Sequence, residues 1–173
     1  SIREPWSQNY RMYSYVTREL PEIVKTLTGA RMDRQGIFGH SMGGHGALVC
    51  ALRNRDQYLS VSAFAPISAP MQCSWGQKAF SGYLGDDQNA WKEYDASELI
   101  RAHRYPRLIL IDQGARDKFL TEQLKPDIFA DAVRESGSEL QFRMHPGYDH
   151  GYYFISTFME DHLRHHARQL STA

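Results

Sequence analysis

The sequence predicts an α/β fold in which a mostly parallel sheet carries helices on both faces. Strand-like apolar runs alternate along the chain with helix-like segments, and that alternation requires crossover connections that lay helices on both sides of an open sheet. Three of the four strand-like runs are continuously apolar or small, as strands covered on both faces tend to be. The run Gly39-His40-Ser41-Met42-Gly43 falls at the junction of the first such strand with a helix, where a tight turn exposes whatever side chain it carries. With 173 residues, 42% of them hydrophobic, residues 1–173 form one domain's worth of chain with enough apolar material for a core.

Tyr13, Val16, Leu20, Ile23, Val24 and Leu27 recur at spacings of three and four, which predicts a helix from about Trp6 to Thr28. Pro21 lacks an N–H and should kink or restart it, and Gly29 should end it. Strands are predicted at Gly36 to Gly39, Val61 to Ala65, Leu108 to Asp112 and Leu140 to His145. In the fourth, Leu140, Phe142 and Met144 alternate with Gln141, Arg143 and His145, the pattern of a half-exposed edge strand. Helices are predicted over Gly43 to Asn54, Thr121 to Ser136 and Tyr153 to Leu170. The segment from about residue 67 to 104 holds Trp75, Phe80, Tyr83, Leu84 and Trp91 among several glycines, and is predicted to be a helical insertion forming a lid or pocket wall. Four strands make a thin sheet with two unpaired edges, so further sheet is expected from elsewhere.

Twenty basic residues balance twenty acidic ones, so no net field favours nucleic acid or an anionic membrane surface. No apolar run approaches bilayer-spanning length, and the first residues lack the layout of a secretion signal, which predicts a cytoplasmic protein. Cys50 and Cys73 have no metal-site or disulfide spacing and are predicted to be free thiols.

The chemistry is legible at Ser41. A strand-to-helix turn holds a nucleophile in a strained conformation, and Gly39 and Gly43 are expected to let neighbouring backbone pass without a Cβ clash. The helix beginning at Met42 points unpaired N–H groups at the place where oxyanion charge develops in acyl transfer, so Met42 N–H is the candidate oxyanion donor. A serine hydroxyl needs a base. His150 lies in the glycine-flanked loop Pro146 to Gly151, after the last strand and before the last helix, where the base of such a site belongs. His162, His165 and His166 sit on the last helix and read as solvated or capping residues, since His-x-x-His-His without converging cysteines or carboxylates is a weak zinc signature. His40 and His45 read as packing or pocket-lining residues. The acid that orients the imidazole should leave the carboxyl end of a strand, which favours Asp117, past Gln113-Gly114, over its rivals Asp112 and Asp149. Trp75 and Tyr152 are candidate substrate-binding residues by aromatic character and neighbourhood. No metal or organic cofactor is called for.

The runs Gly39-His40-Ser41-Met42-Gly43-Gly44-His45-Gly46-Ala47-Leu48, Val61-Ser62-Ala63-Phe64-Ala65-Pro66, Trp75-Gly76, Ala79-Phe80, Ile111-Asp112-Gln113-Gly114 and Gly147-Tyr148-Asp149-His150 together resemble the S-formylglutathione hydrolase (esterase D) family, from about Trp6 to Leu170. The resemblance implies an α/β-hydrolase fold and a cytoplasmic, dimeric serine enzyme. It implies cleavage of the thioester S-formylglutathione to glutathione and formate in formaldehyde detoxification, with side activity on simple esters. It assigns nucleophile, acid and base to Ser41, Asp117 and His150. Two departures stand out. The family carries an N-terminal portion, with the first strands and the second oxyanion donor, that precedes the segment matched here, so the chain reads as the C-terminal portion. Gly151 stands where the family commonly has serine. A general carboxylesterase or acyltransferase would use the same three residues, and an inactive fragment acting as an interaction module would use none of them.

Overall fold

The computed structural model describes residues 1–171. Strands β1 (Gln35–His40), β2 (Tyr58–Phe64), β3 (Ile109–Gly114) and β4 (Leu140–His145) pair in the order β1-β2-β3-β4, all parallel. Register aligns His40 with Phe64, Phe64 with Asp112, and Gly114 with His145, so the carboxyl ends of all four strands reach one edge of the sheet. Helices α3 (Met42–Arg53), α4 (Ser74–Leu84), α5 (Gln88–Lys92), α6 (Ala96–Ala102), α7 (Pro126–Ser136) and α8 (Tyr152–Ser171) fill the connections and the C-terminal end. The segment between β2 and β3 is thus helical, with α6 capped by Asp95, whose Oδ1 accepts the N–H groups of Ser97 and Glu98.

The two faces of the sheet are built from alternate residues of the same strands. Val61 and Ala63 of β2, with Ile109 and Ile111 of β3, enter a core with Leu48, Leu52, Ile100, Phe129 and Val133 from α3, α6 and α7. Ser60, Ser62 and Phe64 face the other way, toward α8. β2 and β3 are buried along their whole length, as their apolar runs predict. β1 departs from that prediction: it alternates between half-buried and exposed residues, and Phe38 is 44% exposed, because β1 has a strand neighbour on one side only. β4 is the half-exposed edge its alternation predicts.

The N-terminal helix is shorter than its periodicity suggests. Helical structure starts with α1 (Met12–Ser14), widens into a π-turn over Tyr15–Glu19, and resumes as α2 (Leu20–Thr28). Pro21 lies in the first turn of α2, where its missing N–H costs no hydrogen bond, so the proline restarts the helix. Gly29 ends α2 at φ 67°.

The predicted solvated role of the C-terminal histidines is wrong. His162, His165 and His166 are all buried, because two serines of β2 supply partners beneath α8. His166 Nδ1 lies 2.7 Å from Ser60 Oγ and its Nε2 2.8 Å from Ser62 Oγ. Ser62 Oγ also meets His162 Nδ1 at 2.8 Å, and His165 Nε2 donates to Val61 O at 3.1 Å. A neutral imidazole offers one donor and one acceptor and a hydroxyl offers both, so an uncharged His166 finds partners for both ring nitrogens in Ser60 and Ser62. At its far end Asp112, fully buried, takes a bidentate pair from Arg143 at 2.6 and 2.5 Å.

Among the described residues no helix is long and apolar enough to cross a membrane. Cys50 and Cys73 are unpaired and buried.

Candidate active site

Ser41 follows β1 with φ 57° and ψ −117°, a backbone conformation that L-residues rarely occupy. Three backbone hydrogen bonds hold it there. Its N–H donates to Phe64 O at 2.9 Å, and its carbonyl accepts from His45 N at 2.9 Å and Ile67 N at 3.4 Å. A Cβ at Gly39 would overlap the carbonyl of Gly43, so the turn closes only with glycine at 39. At Gly43 the same test meets open space, which corrects the prediction that both glycines are needed for clearance. Met42 opens α3 and is 77% exposed. Its N–H belongs to the first turn, where backbone donors have no partner within the helix.

The loops after β3 and β4 are sewn together. Ala115 N donates to His145 O at 3.0 Å and Arg116 N to Tyr148 O at 2.8 Å. That seam brings Asp117 to His150: Nδ1 of the imidazole lies 2.5 Å from Oδ2 of the carboxylate. The same oxygen accepts Gln113 Nε2 at 3.1 Å, and Oδ1 accepts the Phe119 N–H at 2.9 Å. Burial pushes the Asp117 pKa up, but the hydrogen bonds from His150, Phe119 and Gln113 outweigh it and the net shift is downward. An ionised acceptor fixes the proton on Nδ1 and leaves Nε2 as the basic nitrogen.

His150 is packed from two directions. His40, the residue before Ser41, sets its ring 4.5 Å from that of His150, and Phe119 presents an edge at 5.1 Å. Burial, then the neighbouring His150, pushes the His40 pKa down. His45 is pushed down to about 4 by burial, and its Nδ1–H donates to Ile67 O at 3.3 Å. Both flanking histidines therefore pack and line the site as neutral groups. Among the described residues no side chain hydrogen-bonds the Ser41 hydroxyl, so the acid–imidazole arm is closed and the serine–imidazole arm is open. Such contacts commonly tighten only when substrate is bound.

Trp75 packs 4.8 Å from Phe119, which puts it one ring away from His150. Tyr152 is 82% exposed with its ring 6.2 Å from His40. The rivals of Asp117 are committed elsewhere: Asp112 to Arg143, and Asp149 Oδ1 to the N–H of Gly151 at 2.8 Å. Among the described residues no three His, Cys, Asp or Glu side chains are grouped to hold a metal ion. His40 holds the pocket-lining place expected of it, whereas Gln113 and Phe119 are contributors that spacing did not pick out. The one sequence signal was Gln113, an amide ending a run of apolar strand residues.

Comparison with known proteins agrees with this architecture. The family model Esterase ("Putative esterase") matches residues 2–165. The chain is 56% identical over 173 residues to the S-formylglutathione hydrolase of Mus musculus, covering 99% of this chain and 61% of that protein. It is 52% identical over 172 residues to the S-formylglutathione hydrolase of Arabidopsis thaliana, covering 98% of this chain and 60% of that one. Among solved structures, an S-formylglutathione hydrolase from Agrobacterium tumefaciens superposes with a TM-score of 0.94 at 52% identity, over 97% of this chain and 61% of the other. A ferulic acid esterase at 23% identity, TM-score 0.67, over 91% of this chain and 61% of the other, shares the fold. The chain thus spans about three-fifths of the length of the curated relatives it matches. An α/β-hydrolase sheet and a family model matched over nearly the whole chain place this protein in the Esterase family.

Proposed function

We propose that this chain carries the catalytic residues of a serine thioesterase that cleaves S-formylglutathione to glutathione and formate. The observation that carries the reading is the 2.5 Å hydrogen bond between Asp117 and His150, beside a strained turn that presents Ser41. His150 Nε2 takes the Ser41 proton as Oγ attacks the thioester carbonyl, and ionised Asp117 stabilises the imidazolium. Met42 N–H stabilises the oxyanion. Collapse of the tetrahedral intermediate breaks the C–S bond, and the sulfur leaves with the proton held by His150. His150 then deprotonates water, which attacks the formyl-serine ester and releases formate and free Ser41. The choice of thioester rests on the similarity to S-formylglutathione hydrolases at 52–56% identity.

The working enzyme is proposed to include an N-terminal portion that adds strands to the sheet and supplies a second oxyanion donor, and to act in the cytoplasm as a homodimer in formaldehyde removal. The single-sided pairing of β1 and the exposed apolar residues Leu20, Ile23 and Leu27 of α2 support additional structure packed on this chain. Fluorophosphonate labelling of the full-length protein, followed by kcat/KM on S-formylglutathione and on a short aryl ester, tests the reading. Labelling at Ser41 and a strong preference for the thioester are expected. Absence of label at Ser41 overturns the mechanism, and equal rates on both substrates favour a general carboxylesterase.

A further inference from the structure

One face of α4 is an aromatic cleft of about 530 Å³ lined by Trp6, Trp75, Lys78, Ala79, Gly82 and Tyr83. Trp75, Lys78, Ala79, Gly82 and Tyr83 recur at helical spacing, so they form a single stripe. Trp6 closes the cleft from the N-terminal segment, edge-on to Tyr83 at 5.5 Å. Trp75 and Tyr83 remain 43% and 37% exposed, so the aromatic surface is available to a ligand. Lys78 is the one charged side chain among the six lining residues, and it is exposed.

The cleft adjoins the chemistry. Trp75 lies 4.8 Å from Phe119, and Phe119 lies 5.1 Å from His150, so the entrance stands within about 10 Å of the imidazole, the span of an extended tripeptide. Lys78 sits one helical turn beyond Trp75 along the same stripe. We infer that this cleft is the subsite for the peptide part of the thioester, with the aromatic rings covering its backbone and Lys78 pairing with a terminal carboxylate. The inference rests on the thioesterase reading above and adds to it the place where the leaving thiol is recognised. Glutathione carries two carboxylates and one ammonium, and a lone cation within an otherwise uncharged stripe complements that excess of negative charge. A short aryl ester has neither peptide backbone nor carboxylate and gains nothing from Lys78.

The test uses the full-length protein with Lys78→Met, which removes the charge and keeps the apolar stem, and Lys78→Arg, which keeps the charge. Steady-state constants are measured on S-formylglutathione and on 4-nitrophenyl acetate. Lys78→Met is expected to raise KM for S-formylglutathione about twofold to fivefold, the range of an exposed ion pair, with kcat little changed and a smaller change in KM for the ester. Lys78→Arg is expected to restore most of the affinity, and added salt to weaken wild-type binding of the thioester more than of the ester. Wild-type protein that cleaves both substrates, with KM for S-formylglutathione indifferent to Lys78→Met, overturns the subsite alone. Wild-type protein that cleaves only the ester overturns the thioesterase reading and the subsite with it.

Discussion

Asp117 Oδ2 and His150 Nδ1 lie 2.5 Å apart although 33 residues separate them in the chain. Neither residue is brought there by its own flexibility. The backbone bonds between the loops after β3 and β4 set their separation, and Gln113 and Phe119 hold the carboxylate from its other sides. The imidazole therefore already meets a carboxylate in the free protein, the preorganisation that the proposed proton transfer needs.

Replacing Asp117 by Asn keeps the shape of that contact and removes its direction. An amide can present its NH2 to Nδ1 and stabilise the tautomer with the proton on Nε2, which cannot accept from serine. Asp117→Asn is expected to lower kcat on the order of 10³- to 10⁴-fold while the folded protein is retained. Steady-state rates with a urea midpoint measured on the same preparation check both halves; a loss below tenfold would show that another acid serves His150.

Asp112 gives the opposite result if the assignment is right. It is fully buried and holds Arg143 through two hydrogen bonds, with His162 and His145 each 3.3 Å away. Burial raises its pKa, but the hydrogen bonds from His162 and Arg143 prevail and bring it down to about 2. Asp112→Asn leaves the guanidinium without its counter-charge and is expected to cost about 3 kcal/mol, the lower end for a broken buried pair because Arg143 keeps some solvent contact. Turnover per folded molecule should be retained. Chemical denaturation and active-site titration measure the two quantities separately.

The contrast between these two aspartates marks what the sequence can express. Order along the chain was enough to pick Asp117 rather than Asp112 as the carboxylate that meets His150, because a residue past the end of a strand reaches that edge of the sheet. Runs of apolar and small residues likewise identified β2 and β3, which are buried along their whole length. β1 reads the same way, yet it is half-exposed, since composition does not record how many neighbours a strand has. The three histidines of α8 were unreadable for a related reason. Their partners are Ser60, Ser62, Val61 and Asp112, about 50 to 100 residues earlier, and only the seating of α8 on β2 turns polar residues into buried ones. Gln113 and Phe119 gain meaning only through contacts that no local pattern encodes.

The two glycines around Ser41 separate clearance from coincidence. Gly39→Ala forces a methyl into the backbone of Gly43, so the turn must open. A loss of about 1–3 kcal/mol in stability is expected, with a fall in kcat as Ser41 is displaced. Gly43→Ala meets open space inside the first turn of α3, and is expected to leave stability unchanged or raise it by up to about 1 kcal/mol. Thermal melts of the two variants side by side decide the matter, and equal destabilisation would contradict the geometry.

The buried histidines should set the acid side of the stability profile. Burial, followed by the neighbouring His165 and His162, pushes the His166 pKa down to about 4, and burial alone pushes His45 to about 4, from an ordinary value of 6.5. The sign follows from proton binding. Between pH 6.5 and about 4 the unfolded chain binds protons that the folded protein excludes, so stability falls as pH falls through that window and is fully present above it. Each histidine contributes a slope of at most about 1.4 kcal/mol per pH unit. Asp112 acts lower down: its folded pKa is below its ordinary 3.8, so its contribution holds above that value and is lost toward pH 2. His166→Gln removes one titrating ring while offering donor and acceptor to Ser60 and Ser62. Urea midpoints from pH 7.5 to 4.5 should fall for both proteins, with a shallower fall in the variant. Parallel curves would mean that His166 takes up its proton in the folded state, which its burial and the neighbouring His165 and His162 argue against.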